Sequence, residues 1–496
     1  MIIKTRSKIT PRLNVLVVGS GLSAYGACLA LIEDQTIAVT VIDIGLQNAY
    51  QDQPNEAVPN SISLNGSFYP YGVNDSRCPT ALHSKRMCSS HALGGFSKVF
   101  SGSVLKPKDK DLTDWPARSK PSIADYNAVL SSLRIWQVKD ELNEAFSCFP
   151  MTEDHVVNNN TYVGQPRIAL SKSDSMDIPY DCGYDFLKWQ KQGLITYFSD
   201  QYVTKITKLK DKLEVSITTV EGVKTMSFDQ IYIGAGCINT TAIVDLSIYG
   251  EGSRTYSIKC ARGLLQLYLQ LWISKIGRNN NGNIGIKNPD LCKVFVEHRS
   301  TATAGLWSHT QINSFNRTIL QTIRQKLPPI IRETILAVQT IFRFSVTAFH
   351  SDLGPSSILI SRVQKCSNGS LLQTIEVLED EDSCDQHLVN TIRSAVVNKF
   401  LSLGLLPLPF GQFIADIMRG NRLGGWHYGG TLPMSDNPTD PNHLASNGEL
   451  YGMKQVYVID ASGFPSIPGS TVALLTMANA YRIARKSIEN YYKLCQ

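Results

Sequence analysis

Gly19-Ser20-Gly21-Leu22-Ser23-Ala24 sets two glycines and an alanine at GxGxxA spacing, the pattern of a loop that carries a dinucleotide pyrophosphate. Gly19 permits the tight turn, Gly21 lets the pyrophosphate approach the backbone, and Ala24 lets a helix pack closely on a strand. The amides at such a helix start are donors for phosphate oxygens. Asp43 lies 24 positions after Gly19, where a carboxylate accepts hydrogen bonds from ribose hydroxyls. FAD and NAD share this pyrophosphate geometry, so the motif alone does not choose between them.

The elements that must position these residues are legible around them. Residues 14–18 form an apolar run expected as a buried parallel strand, 22–32 a small-residue helix, and 38–42 a second strand. Together they predict a βαβ unit and a doubly wound sheet early in the chain. Strand patterns follow over 202–209, 213–220, 224–228 and 230–234, with Glu221-Gly222 as a hairpin turn. Residues 50–90, rich in Pro, Asn, Ser and Gly, are expected as a long excursion. From about 255 to 345 the chain is expected to be helical and irregular, with strands near 342–349 and 357–363 and a helix at 385–402. No internal repeat is present, and the acidic stretch 376–385 is expected as a solvated loop.

With 496 residues, 43% hydrophobic and 18% charged, the chain is long enough for two or three domains and has a globular composition, not that of a disordered segment or a disulfide scaffold. Lys+Arg 48 against Asp+Glu 42 leaves +6, and no basic block marks a nucleic-acid track. The eleven cysteines are odd in number and scattered without a CxxC pair or a zinc-like cluster, which points to a reducing, cytoplasmic setting and to no metal. The apolar run 13–18 is too short for a signal h-region. Neither 263–273 nor 400–414 supplies the roughly 20 apolar residues of a membrane span. Residues 316–343 carry Arg317, Arg324, Lys326, Arg332 and Arg343 against Glu333, split by Pro328-Pro329. This basic amphipathic stretch reads first as a solvated face, and alternatively as a peripheral membrane contact.

Four further segments, in chain order, resemble the glucose-methanol-choline (GMC) oxidoreductases. Ala92-Leu93-Gly94-Gly95-Phe96-Ser97-Lys98 is similar to that family's Gly-Gly flavin loop, extended by Asp114-Trp115-Pro116 and Tyr126. Ile231-Tyr232-Ile233-Gly234-Ala235-Gly236 resembles its strand-Gly-Ala-Gly turn. His427-Tyr428-Gly429-Gly430-Thr431 matches HxxGT, and Val458-Ile459-Asp460-Ala461-Ser462-Gly463-Phe464-Pro465 matches the C-terminal strand and turn. The resemblance implies a discontinuous Rossmann-like, doubly wound FAD-binding domain (residues 1–150, 201–250 and 421–496). It also implies an α+β substrate domain on an antiparallel sheet (151–200 and 251–420). Cofactor contacts are implied at Gly19, Gly21, Ala24, Asp43, Gly94, Gly95, Ser97, Val203, Gly234, Ala235, Gly236, Asp460 and Ala461.

The activity implied is FAD-dependent oxidation of a CH–OH group, with His427 as general base, hydride transfer to flavin N5, and a dehydrogenase acting on a sugar or other alcohol with an unknown electron acceptor. A helix starting after Ser470, if aimed at the flavin, would stabilise negative charge on the reduced ring, with Ser470 or Thr471 as cap. Two departures stand out. The family's second His or Asn on the C-terminal turn is replaced here by Gly469-Ser470-Thr471, whose hydroxyls donate hydrogen bonds but are poor bases. Where some relatives attach FAD through a His in the Gly-Gly loop, this chain has Val99, so noncovalent FAD is expected. The alternatives are a catalytically impaired flavin-binding protein, or a flavoprotein of another class such as an amine oxidase or hydroxylase.

Overall fold

The computed structural model describes residues 13–45, most of 80–136, 161–164, 167–171, most of 180–270, 293–299, 307–314, 327–338, 343–351, 357–365, 371–378, 405–407 and 427–495. Over these residues the chain is a mixed α/β protein.

A five-stranded sheet has the order Val456–Val458, Gln230–Ile233, Leu13–Val18, Ile37–Ile42, Thr196–Phe198, and all its pairings are parallel. Leu13, Val15, Leu16 and Val17 in its central strand are fully buried, as are Ile231, Tyr232 and Ile233 beside them. Continuous apolar strands of this kind need cover on both faces. Helix Leu22–Leu31 packs on the last helix, Ala473–Cys495, and the crossing depends on Gly26: a Cβ there would overlap the carbonyl oxygen of Met477. The last helix is fixed further by Arg482, 1% exposed, whose guanidinium donates to the carbonyls of Ser446 (3.1 Å) and Arg118 (3.2 Å).

The strands expected over 202–234 form as Tyr202–Lys208, Leu213–Thr219, Gly222–Phe228 and Gln230–Ile233. The first three make an antiparallel meander and the fourth joins the parallel sheet.

The expectation of helix over 255–345 is corrected by the structure. Gly252–Gln270 is one 19-residue strand, and Lys293–Arg299 and Trp307–Ser314 are strands as well. The apolar stretch beginning at 263 is thus part of a sheet strand. A short apolar run does not distinguish strand from helix by period, and pairing with remote segments decides it. The partners here are Ser357–Lys365 and Arg343–Ser351, both antiparallel. The helix Pro329–Val338 does form, starting at the second proline as proline's fixed φ and missing N–H allow. Of the expected helix at 385–402 only residues 394 and 401 are described, both helical, and the rest of it, most of the 50–90 excursion and residues 315–326 lie outside the described residues.

Between those two pairings, Gly252–Gln270 pairs through Lys259–Ala261 with the short strand His427–Gly429, Ala261 opposite His427. Among the described residues the longest strand of a ten-stranded sheet, antiparallel except where Thr80–His83 pairs parallel with Leu371–Leu378, therefore carries the HxxGT segment.

Candidate functional site

Gly19 follows the buried central strand with φ +97°, and a Cβ there would stand 2.5 Å from the carbonyl oxygen of Gly234. Only glycine fits that turn. Gly21 is different: its φ is −73°, it precedes helix Leu22–Leu31, and a Cβ there would meet nothing within 4 Å. The loop is closed below and open above. Ala24 is fully buried beneath it.

The Gly-Gly segment sits on this loop. A Cβ at Gly95 would lie 3.2 Å from the Gly21 Cα, and the Gly94 amide donates to Ser20 Oγ at 2.9 Å. Ser20 in turn donates to the Asp43 carboxylate. The middle residue of Gly-Ser-Gly thus ties the acid at the end of the second strand to the second glycine loop, a role that the motif spacing did not signal. Ser97 donates to the Gly94 carbonyl (2.7 Å) and accepts from the Cys182 amide (3.1 Å). Asp181 pairs with Lys98. Cys182, fully buried and packed under Ser20 and Gly94, has its thiol pushed well up by burial, so it serves as packing rather than as a nucleophile. Asp181 and Cys182 belong to no motif and were invisible in the sequence. Val99 lies outside the described residues.

Removal from water pushes the Asp43 carboxyl up to about 6, partly offset by hydrogen bonds from Ser20 and Tyr197. An acid whose folded pKa lies above its unfolded value of roughly 3.9 favours the fold at low pH and loses that contribution as pH rises through about 6. Asp43→Asn should therefore raise the melting temperature of the apoprotein at pH 8 and leave it nearly unchanged at pH 4. Equal shifts at both pH values would show that Asp43 is not desolvated. Val203 is buried in strand Tyr202–Lys208, two residues beyond Gln201, whose amide donates to the Asp43 carbonyl at 3.2 Å.

On the other side of Gly19, strand Gln230–Ile233 runs into Gly234-Ala235-Gly236 and helix Cys237–Tyr249. Gly236 has φ +83° and open space where a Cβ would be. The turn is held from the C-terminal segment. Asp460 is buried and accepts from Thr240 Oγ1, while Thr240 accepts from the Ala235 amide (3.1 Å). Asp460 also accepts from Ser462, N at 3.0 Å, and burial raises its carboxyl. It is a bracket between two turns.

Ala461 meets the histidine strand: its carbonyl accepts from the Gly430 amide at 2.9 Å, and a Cβ at Gly429 would overlap the same oxygen. Thr431 closes HxxGT by a 2.6 Å hydrogen bond to Thr241 at the start of helix Cys237–Tyr249. His427 is partly exposed at the head of this strand, its backbone pinned by pairing with Ala261. The chain then turns through Phe464 to Ser466, where Trp115 Nε1 donates to Ser466 Oγ (3.1 Å) and its ring packs 4.8 Å from Phe464. This explains the Asp-Trp-Pro segment physically.

Ser470 and Thr471 follow, 5% and 7% exposed, just before helix Ala473–Cys495. Ser470 Oγ and Thr471 Oγ1 are buried with no hydrogen-bond partner among the described residues. Two such hydroxyls cost free energy unless a ligand or water engages them. Together with the open positions at Gly21 and Gly236, they fit a bound dinucleotide: room over two glycine turns, and donors beside the first amides of a long helix. Among the described residues no cluster of His, Cys, Asp and Glu could hold a metal.

The family model described as GMC oxidoreductase, covering that family's C-terminal part, matches residues 406–480. No curated protein sequence matches the chain. Among solved structures, pyridoxine 4-oxidase from Mesorbium loti is similar with TM-score 0.60 at 12% identity, covering 96% of this chain and 99% of that one. Formate oxidase from Aspergillus oryzae RIB40 gives 0.63 at 13%, covering 98% and 100%. An FAD-dependent oxidoreductase from Chaetomium thermophilum gives 0.56 at 15%, covering 97% and 100%.

Proposed function

We propose that the chain is a divergent member of the GMC oxidoreductase family and an FAD-dependent oxidoreductase acting on the CH–OH group of an alcohol, with His427 as the base. The observation that carries this reading is the convergence of the loop at 19–24, the Gly-Gly segment, the Gly-Ala-Gly turn and the C-terminal turn, which leaves two buried hydroxyls for a ligand. We read 1–150, 201–250 and 421–496 as the FAD domain and 151–200 and 251–420 as the substrate domain, with two exchanges: Thr196–Phe198 pairs in the parallel sheet, and Thr80–His83 pairs with Leu371–Leu378 in the other sheet.

Gly19, Gly21, Ala24, Gly94, Gly95, Ser97, Val203, Gly234, Ala235, Gly236, Asp460 and Ala461 would line the cofactor, with Asp43 toward its ribose. When bound, FAD supplies the hydride acceptor. His427 takes the hydroxyl proton, the role an imidazole serves near neutrality. Ser470 and Thr471 donate to oxygen atoms of substrate or cofactor, and the first amides of helix Ala473–Cys495 favour negative charge developing before them. Neither hydroxyl is a base, so proton removal rests on His427. The replacement of the second His or Asn by Gly469-Ser470-Thr471 favours, as second reading, a flavin-binding protein of impaired turnover.

We further propose a dehydrogenase using a sugar or other alcohol and a separate electron acceptor, with FAD held noncovalently, in the cytoplasm. Cys28, Cys182 and Cys237 are buried thiols among the described residues, which fits a reducing setting. No helix among the described residues is long and apolar enough to cross a membrane. The visible spectrum of the purified protein before and after acid precipitation tests the cofactor: flavin bands passing into the supernatant are expected. Colour kept in the pellet would mean covalent attachment, and a folded protein that takes up no FAD would end the oxidoreductase reading.

A further inference from the structure

Lys259 belongs to none of the motifs, yet it stands between the two segments that carry the proposed chemistry. Its side chain is partly exposed, and Nζ donates to the Pro465 carbonyl at 2.5 Å. In the pairing of Gly252–Gln270 with His427–Gly429, Lys259 is opposite Gly429 and Ala261 opposite His427. Opposed residues of antiparallel strands share a face, and so do residues two apart. Lys259 and His427 are therefore diagonal neighbours on one face, at a typical spacing of roughly 7–8 Å.

That face is covered by the C-terminal turn. A Cβ at Gly429 would overlap the Ala461 carbonyl and lie 2.9 Å from Ile467 Cδ1, and one at Gly430 would lie 3.4 Å from the Lys259 stem. The turn is thus gripped twice, by Trp115 through Ser466 and by Lys259 through Pro465. The first grip is neutral. The second brings a cation whose hydrogen-bond partner here is a carbonyl dipole, which does not neutralise it.

Building on the His427 reading above, we propose that Lys259 is a positioning residue of this site. It fixes the turn that leads to Ser470 and Thr471 against the histidine strand, and its charge favours the neutral, proton-accepting imidazole. The other titratable groups on the elements packed here are differently placed. Cys260 and Tyr428 point to the opposite face of the paired strands. Cys237 is buried against Thr431, and the Asp460 carboxyl is engaged by Thr240 and Ser462.

The test is a titration of the imidazoles in apoprotein labelled with 13C-histidine, the His427 signal being identified by its loss in His427→Gln. In Lys259→Met the His427 midpoint should rise by about 0.5 to 1.5 pH units, the effect of a unit charge at this spacing. Lys259→Arg should restore it to within about 0.3 units of the unsubstituted protein. An unchanged midpoint in a folded Lys259→Met protein overturns the proposal. If that variant does not fold, Lys259→Gln, which keeps a donor for the Pro465 carbonyl, gives the same two outcomes. No turnover is needed for this measurement. A failed Lys259 assignment therefore appears in the titration, whereas a failed His427 assignment appears as normal flavin reduction in His427→Ala.

Discussion

His427→Ala should stay yellow and lose substrate-driven flavin reduction by roughly 10²- to 10⁴-fold, the usual contribution of a positioned general base. Cofactor retention is expected because the strand is held by backbone and threonine contacts. Its backbone pairs with Gly252–Gln270, Gly430 donates to Ala461, and Thr431 bonds Thr241. None of these contacts uses the side chain of residue 427. The loss should fall on the rate at saturation, since proton abstraction is felt in the transition state and not in binding. Anaerobic stopped-flow bleaching, with whichever alcohol proves active in a panel of sugars, polyols and aliphatic alcohols, measures it directly. Reduction at the unsubstituted rate would remove His427 from the mechanism. Loss of both FAD and fold would make it a structural residue instead.

Gly21→Val should produce a folded protein unable to hold FAD, with affinity down at least about 100-fold, or some 2.7 kcal/mol. The backbone at residue 21 is in a region any residue adopts, and a Cβ there would meet nothing among the described residues within 4 Å. The apoprotein melting temperature should accordingly move by no more than a degree or two, roughly the effect of a few tenths of a kcal/mol. Gly19→Ala is the contrasting control: positive φ and the Gly234 carbonyl make it a folding defect. Fluorescence titration of apoprotein with FAD, alongside thermal melts, separates the two. A Gly21→Val protein that binds FAD normally would mean that the pyrophosphate lies elsewhere.

The parts of this site that could be read in the sequence are those whose physics is local. A strand, a glycine turn and a small-residue helix are written in consecutive residues, and Leu13–Val18, Leu22–Leu31 and Ile37–Ile42 form within a residue of expectation. The three-stranded meander forms too, its third strand starting two residues early, whereas the last helix, expected over about 471–484, runs on to Cys495. Gly252–Gln270 was misread because its partners lie about a hundred residues away, and its apolar stretch fits either period. Ser20, Cys182 and Lys259 were missed for a related reason: each acts on a segment remote in sequence, 74 positions for Ser20 with Gly94 and 206 for Lys259 with Pro465. Orphaned hydroxyls at Ser470 and Thr471 are likewise a property of packing, and no spacing rule reveals them.

The five-stranded sheet has a consequence for how the chain is made. Its central strand ends at residue 18, its edge strand begins at residue 456, and Gly26 meets Met477 across the two helices. At roughly 5–20 residues per second on the ribosome, the first strand waits on the order of tens of seconds for its outer neighbours. Contacts of such long sequence separation are slow to form and leave apolar edges exposed meanwhile. The proposed nucleotide cradle is therefore completed only after the chain through about residue 477 has been made. Supply of FAD during expression should then matter more to the yield of folded protein than any property of the early segments.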